Sequence, residues 1–187
     1  MPRTPTQAAG FVLGFWIALW LLCPGSAAAQ TSAPSPCALA ATAAWPGSLR
    51  AAGEFTPLES ELFRAINSVR SQQGLIELRR DPLLDAVARE HSLDMAQRHY
   101  FAHETPEGLN PVDRLKRGGA SGFSLAGENV GLTSRGDPNR EIVEAWLASP
   151  AHRDNLLAPA FNATGVGIAR AADGTLYYTQ LYVTYRR

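Results

Sequence analysis

The chain of 187 residues balances 17 Lys and Arg against 17 Asp and Glu, so it lacks the basic excess that a nucleic-acid binder needs. Its two cysteines argue against a disulfide-built scaffold, and its length is enough for one hydrophobic core in one domain.

The first 29 residues read as a signal peptide. Arg3 supplies the positive start, Phe11 to Cys23 is an apolar run too short for a comfortable membrane span, and Ala27-Ala28-Ala29 offers a small-residue cleavage site. This predicts export with a mature start near Gln30, to a secreted or periplasmic location, and a mature product that is not an integral membrane protein. A lipid-modified Cys23 is disfavoured because Leu22, a large residue, precedes it. Residues 30–54 are rich in Ser, Pro, Ala and Gly and read as a flexible linker carrying Cys37, the one cysteine of the mature chain.

The folded domain is expected over residues 55–187. Thr56-Pro57-Leu58-Glu59 is a capping box with proline at the first helical position, and Leu62, Ile66 and Val69 continue the helix to about Gly74. Asp81-Pro82 starts a second helix whose apolar stripe includes His91, expected to be a core histidine bonded to a backbone carbonyl, while His99 is expected in solvent. A loop follows Tyr100-Phe101-Ala102-His103. His103-Glu104 does not open a zincin helix, because Pro106 and Glu107 stand where that motif needs continuous helix and a second histidine. Asn110-Pro111 starts a short third helix that Gly118-Gly119 stops.

Gly127-Glu128-Asn129 allows two readings, a short strand or bend that aims Glu128 inward, or a turn with a solvated Glu128. Asp137-Pro138 opens a fourth helix with Ile142, Val143, Trp146 and Leu147 buried. Ser149-Pro150 opens a fifth, with Ser149 as cap and His152 in the first turn, where the helix dipole favours a neutral imidazole. Beyond it Thr164–Ala169 and Leu176–Tyr185 alternate in polarity around Asp173-Gly174, a β-hairpin. Helices followed by a hairpin predict an α+β domain.

His103, Glu128 and His152 are the candidate lining of one cleft. Two imidazoles and a carboxylate suit a divalent metal, although the long spacings between them are no compact metal signature and a polar cluster is an equal reading. No Gly-x-Ser-x-Gly elbow is present, and Asn162-Ala163-Thr164 is a formal glycosylation sequon.

In chain order, His91-Ser92-Leu93-Asp94-Met95-Ala96, Tyr100-Phe101-Ala102-His103, Gly127-Glu128-Asn129-Val130, Trp146, Ser149-Pro150-Ala151-His152-Arg153-Asp154-Asn155-Leu156-Leu157, Gly165-Val166-Gly167 and Thr179-Gln180 resemble the CAP superfamily of cysteine-rich secretory, antigen 5 and pathogenesis-related proteins. The resemblance spans roughly residues 60–185 and implies a three-layer α-β-α sandwich with a central antiparallel sheet. It also implies a cavity of two histidines and two acids that holds divalent metal in some members; His103, His152 and Glu128 match three of the four. The second acid would follow the helix tryptophan by three residues, and that position is Ser149, counted here among the cavity residues. Glu144 lies about 200° around the helix from Trp146 and is a poor substitute.

Two functions follow as expectations. One is a secreted, non-catalytic binding module for a cell-envelope, lipid-like or small ligand, with or without a divalent metal such as Zn or Mg. The other is a metal-dependent, protease-like hydrolase using His103, Glu128 and His152. Whether the chain is an enzyme stays open at this point.

Overall fold

The computed structural model describes residues 55–186; the expected signal peptide, the linker and Cys37 lie outside the described residues. The elements run α1 (Pro57–Gln72), β1 (Arg79–Arg80), α2 (Pro82–Arg98), α3 (Pro111–Arg117), β2 (Phe123–Thr133), α4 (Pro138–Ala148), α5 (Pro150–Leu156), β3 (Ala163–Arg170) and β4 (Leu176–Tyr185). Every one of these helices starts on a proline, which gives up an N–H that the first turn cannot use and presets φ.

The caps divide by geometry. Thr56 (ψ 159°) and Asn110 (ψ 171°) close full capping boxes with Glu59 and Asp113, and Asp81 accepts from the Leu83 N–H. Ser149 makes no side-chain cap bond, contrary to expectation. It also ends α4, donating its own N–H to the Ala145 carbonyl, and its ψ of 120° leaves the short hydroxyl away from the free amides. The longer Asp81 side chain reaches its amide at a similar ψ of 111°. Asp137 likewise leaves α4 uncapped and pairs with Arg140 Nε at 2.8 Å.

The sheet has the order β1-β3-β4-β2. β3, β4 and β2 pair antiparallel, and the two-residue β1 joins β3 in parallel, so the sheet is mixed where an antiparallel one was expected. The hairpin appears as read, and the Glu128 segment is an 11-residue strand, longer than the short strand or bend considered.

The period of two along β4 builds three layers. Leu176, Tyr178 and Tyr182 enter a core with Leu62 and Ile66 of α1, Ile142 and Trp146 of α4, and Leu156 of α5. Leu181 and Val183 face the opposite way, onto Leu84, Val87 and Ala88 of α2 and Leu115 of α3. Burying each such aliphatic side chain contributes about 1.5–3 kcal/mol. Gly165 and Gly167 let α2 lie directly on β3: a Cβ at Gly167 would stand 2.1 Å from the Arg89 backbone nitrogen.

Side chains close both sheet edges. Past β1, the Val166 N–H donates to Asp85 (3.0 Å) and the Ile168 N–H to Glu59 (3.3 Å), and Arg80 and Arg89 balance those buried carboxylates. On the outer side of β2, Trp146 Nε1 donates to the Val130 carbonyl (2.9 Å) and Asn155 Nδ2 to the Glu128 carbonyl (3.0 Å). Asn162 of the sequon spends its amide on the Tyr185 backbone, donating at 2.8 Å and accepting at 3.0 Å.

Candidate functional site

Four pieces of chain meet beside β2. Pairing sets Glu128 opposite Leu181 and therefore on the α2–α3 face, while Asn129 turns to the α4–α5 face. Glu128 is buried, its side chain only 1% exposed, and both carboxylate oxygens are engaged. Oε1 accepts from His103 Nδ1 at 2.8 Å, and Oε2 accepts from Nη2 of Arg114 on α3. This decides between the two readings of Glu128: it points inward. With Nδ1–H bound to a carboxylate, a neutral His103 ring keeps its lone pair on Nε2, and the side chain is 49% exposed.

The loop that carries His103 is pinned on either side of it. Arg114 Nη1 donates to the His103 carbonyl (2.6 Å) and the Leu109 carbonyl (3.0 Å). His91, fully buried on α2, bonds through Nε2 to the Ala102 carbonyl at 3.0 Å, the role expected for it. Burial, helped by the nearby Arg114 charge, pushes the His91 pKa down to about 4. His99 ends α2 in the left-handed conformation (φ 55°) and is exposed. Arg98, paired with Asp94 one turn back on α2 (3.4 Å), ties the loop from outside through Glu107 (2.7 Å).

α5 brings the second imidazole. The His152 and His103 ring centroids are 6.4 Å apart at 47°. Burial, with His103 beside it, lowers the His152 pKa, so the ring is neutral at neutral pH. Asn129 holds this helix by donating to the His152 carbonyl (3.0 Å), and Asn155 donates to Asn129 Oδ1 (3.0 Å). Behind them, Tyr182 accepts from Asn129 and donates to Gln180. Gly127 makes the approach possible, since a Cβ there would meet Asn155 Oδ1 and the Phe161 ring, each at 2.9 Å.

His103 thus stands between Glu128, to which it is bonded, and His152. Ser149 stands apart in role: it is a half-buried residue at the α4–α5 junction without a cap bond. Glu144 lies on the solvent face, 65% exposed, beside Arg140 at 3.6 Å. Arg114, Asn129 and Asn155 carry site geometry that the sequence did not reveal. Asn129 and Asn155 stood inside recognised motifs, whereas Arg114 looked like one more basic residue on a short helix.

The donor set fits a three-ligand metal poorly. Both Glu128 oxygens are committed, and among the described residues no group of three or more His, Cys, Asp or Glu is arranged to hold a metal ion. His103 Nε2 and the His152 ring are the donors left uncommitted beside Glu128.

Several known proteins share this frame. A sequence model described as the cysteine-rich secretory protein family (CAP) matches residues 63–182. The uncharacterized protein YkwD of Bacillus subtilis is 34% identical over 125 residues, covering 67% of this chain and 46% of its own length. The uncharacterized membrane protein YlbC of the same organism is 34% identical over 128 residues, covering 68% and 35%. This chain therefore spans less than half the length of those two relatives. Among solved structures, an extracellular protein containing an SCP domain from Bacillus anthracis superposes with TM-score 0.60 at 33% identity, covering 71% of this chain and 45% of that one. An outer surface protein of Borrelia burgdorferi gives 0.64 at 22% identity, covering 72% and 97%, a likeness of fold.

Proposed function

Since this chain belongs to the cysteine-rich secretory protein (CAP) family, we propose that it serves outside the cytoplasm as a binding module. Its His103–His152 cleft takes a cell-envelope or lipid-like ligand, and the protein performs no catalysis of its own. The observation that carries this reading is the state of Glu128. A carboxylate bonded on one side to an arginine and on the other to His103 is positioned to orient an imidazole, and it is poorly placed to activate water. Among the described residues, no serine, threonine or cysteine side chain is hydrogen-bonded to either imidazole, as an activated nucleophile would be. Phe101, two residues before His103 in the chain, is 48% exposed and offers apolar surface to a lipid-like ligand. Export is read from the first 29 residues and agrees with the extracellular and outer-surface relatives; no helix among the described residues is long and apolar enough to cross a membrane.

The metal-dependent hydrolase is the competing reading, with a Zn or Mg ion on His103 and His152 and Glu128 released from Arg114. A pair of assays separates the two. Vesicles of phosphatidylglycerol, titrated against the protein while histidine ring resonances are followed, should shift His103 and His152 together, and His103→Ala and His152→Ala should weaken vesicle binding at least about tenfold. Casein hydrolysis that a chelator abolishes and Glu128→Gln removes, with no response of either ring to vesicles, would favour the hydrolase.

A further inference from the structure

We propose that Arg114 determines what the cleft accepts: by occupying Glu128 it keeps a divalent cation out of the His103–Glu128–His152 site. The inference rests on the reading of that cleft as the binding site and deepens it by naming a ligand class that the cleft refuses.

The Arg114 side chain is 4% exposed and cannot lose its proton, so a fixed positive charge lies beside Glu128, the only carboxylate among the three cleft residues. Its donors serve three acceptors at once, namely Glu128 Oε2 and the carbonyls of His103 and Leu109. Glu128 Oε1 in turn holds the His103 ring. The result is a closed circuit from guanidinium to carboxylate to imidazole to the backbone of that same imidazole's residue. A cation that recruits Glu128 must break this circuit. It would leave a buried guanidinium, whose Nε already lacks a hydrogen-bond partner, without its counter-charge. It would also sit close to that guanidinium in a poorly screened interior, where like charges repel strongly. The second acid that the family resemblance leads one to expect is Ser149 here, and the charged group beside Glu128 is instead the Arg114 guanidinium. Arg114 is in this sense a positioning residue that sets specificity by charge.

The test is calorimetric titration with Zn²⁺ alone of the full chain, Arg114→Gln, Glu128→Gln and the double variant, each first checked for a cooperative melt. The expected result is that Arg114→Gln binds Zn²⁺ at least about tenfold more tightly than wild type, that adding Glu128→Gln abolishes the gain, and that wild type and Glu128→Gln agree within about twofold. A folded Arg114→Gln that gains nothing would overturn the proposal. So would a wild type that loses about tenfold or more in Zn²⁺ affinity on Glu128→Gln, since Glu128 would then be a ligand despite Arg114. If Arg114→Gln does not fold, the wild-type and Glu128→Gln pair decides alone. A failure of vesicles to move the histidine rings would count against the binding-module reading and leave this result standing.

Discussion

At the scale of single residues, His91 shows how a buried group sets both geometry and pH response. Its Nε2 fixes the carbonyl just before His103, and burial lowers its pKa from 6.5 to about 4. A histidine with a lowered folded pKa contributes stability that is complete above pH 6.5 and is lost as pH falls toward 4, a swing of about 3 kcal/mol. Burial acts oppositely on Glu90 and Asp85, raised to about 7 and about 6, because the folded protein binds those protons more readily and gains stability as pH falls. The wild-type profile is therefore a sum of opposing slopes, and a comparison isolates His91. Urea unfolding at a series of pH values should show the advantage of wild type over His91→Gln narrowing by up to about 3 kcal/mol between pH 7 and pH 4. A gap that stays constant with pH would mean that His91 is not held neutral. The role of His91 was legible in the sequence because its place on an apolar stripe leaves a buried imidazole few options. Arg114 was not legible: helical periodicity marks apolar residues, and nothing local distinguishes a buried, ion-paired arginine from a solvated one.

At the scale of elements, the helix starts could be read because Thr56-Pro57, Asp81-Pro82, Asn110-Pro111, Asp137-Pro138 and Ser149-Pro150 each state a local physical preference. Whether a cap bond forms depends on ψ and on competing partners, which explains why Thr56 caps while Ser149 and Asp137 do not. β1 escaped notice since two residues show no period, and its parallel pairing with β3 is a long-range event. The edge of β3 beyond β1 is closed by carboxylates carried on neighbouring helices, Asp85 on α2 and Glu59 on α1. Replacing Asp85 by Ala leaves the buried Val166 N–H without an acceptor and removes the Arg80–Asp85 ion pair, and should cost about 2–4 kcal/mol in chemical denaturation. A loss under about 0.5 kcal/mol, the size of an ordinary surface substitution, would show that the edge needs no such plug.

At the scale of the whole molecule, two cores on opposite faces of one sheet hold α3 and the His103 loop on one side of β2 and α5 on the other. His103, Glu128 and His152 come together only when both layers dock, because Glu128 faces one layer while its neighbour Asn129 anchors the other at His152. The sequence pointed to these three residues through their local polar context, and the family resemblance matched the same three, but their charge balance depends on a fourth residue from a separate helix. Arg114, Glu128 and His103 form one locked unit facing a neutral His152. Long-range proton–nitrogen correlation of the histidine rings, in wild type and in Glu128→Gln, reads the state of that unit. Neutral His103 should carry its proton on Nδ1 in wild type, this preference should weaken in Glu128→Gln, and His152 should be uncharged at pH 7. A His103 protonated on Nε2 and indifferent to Glu128→Gln would refute the locked unit.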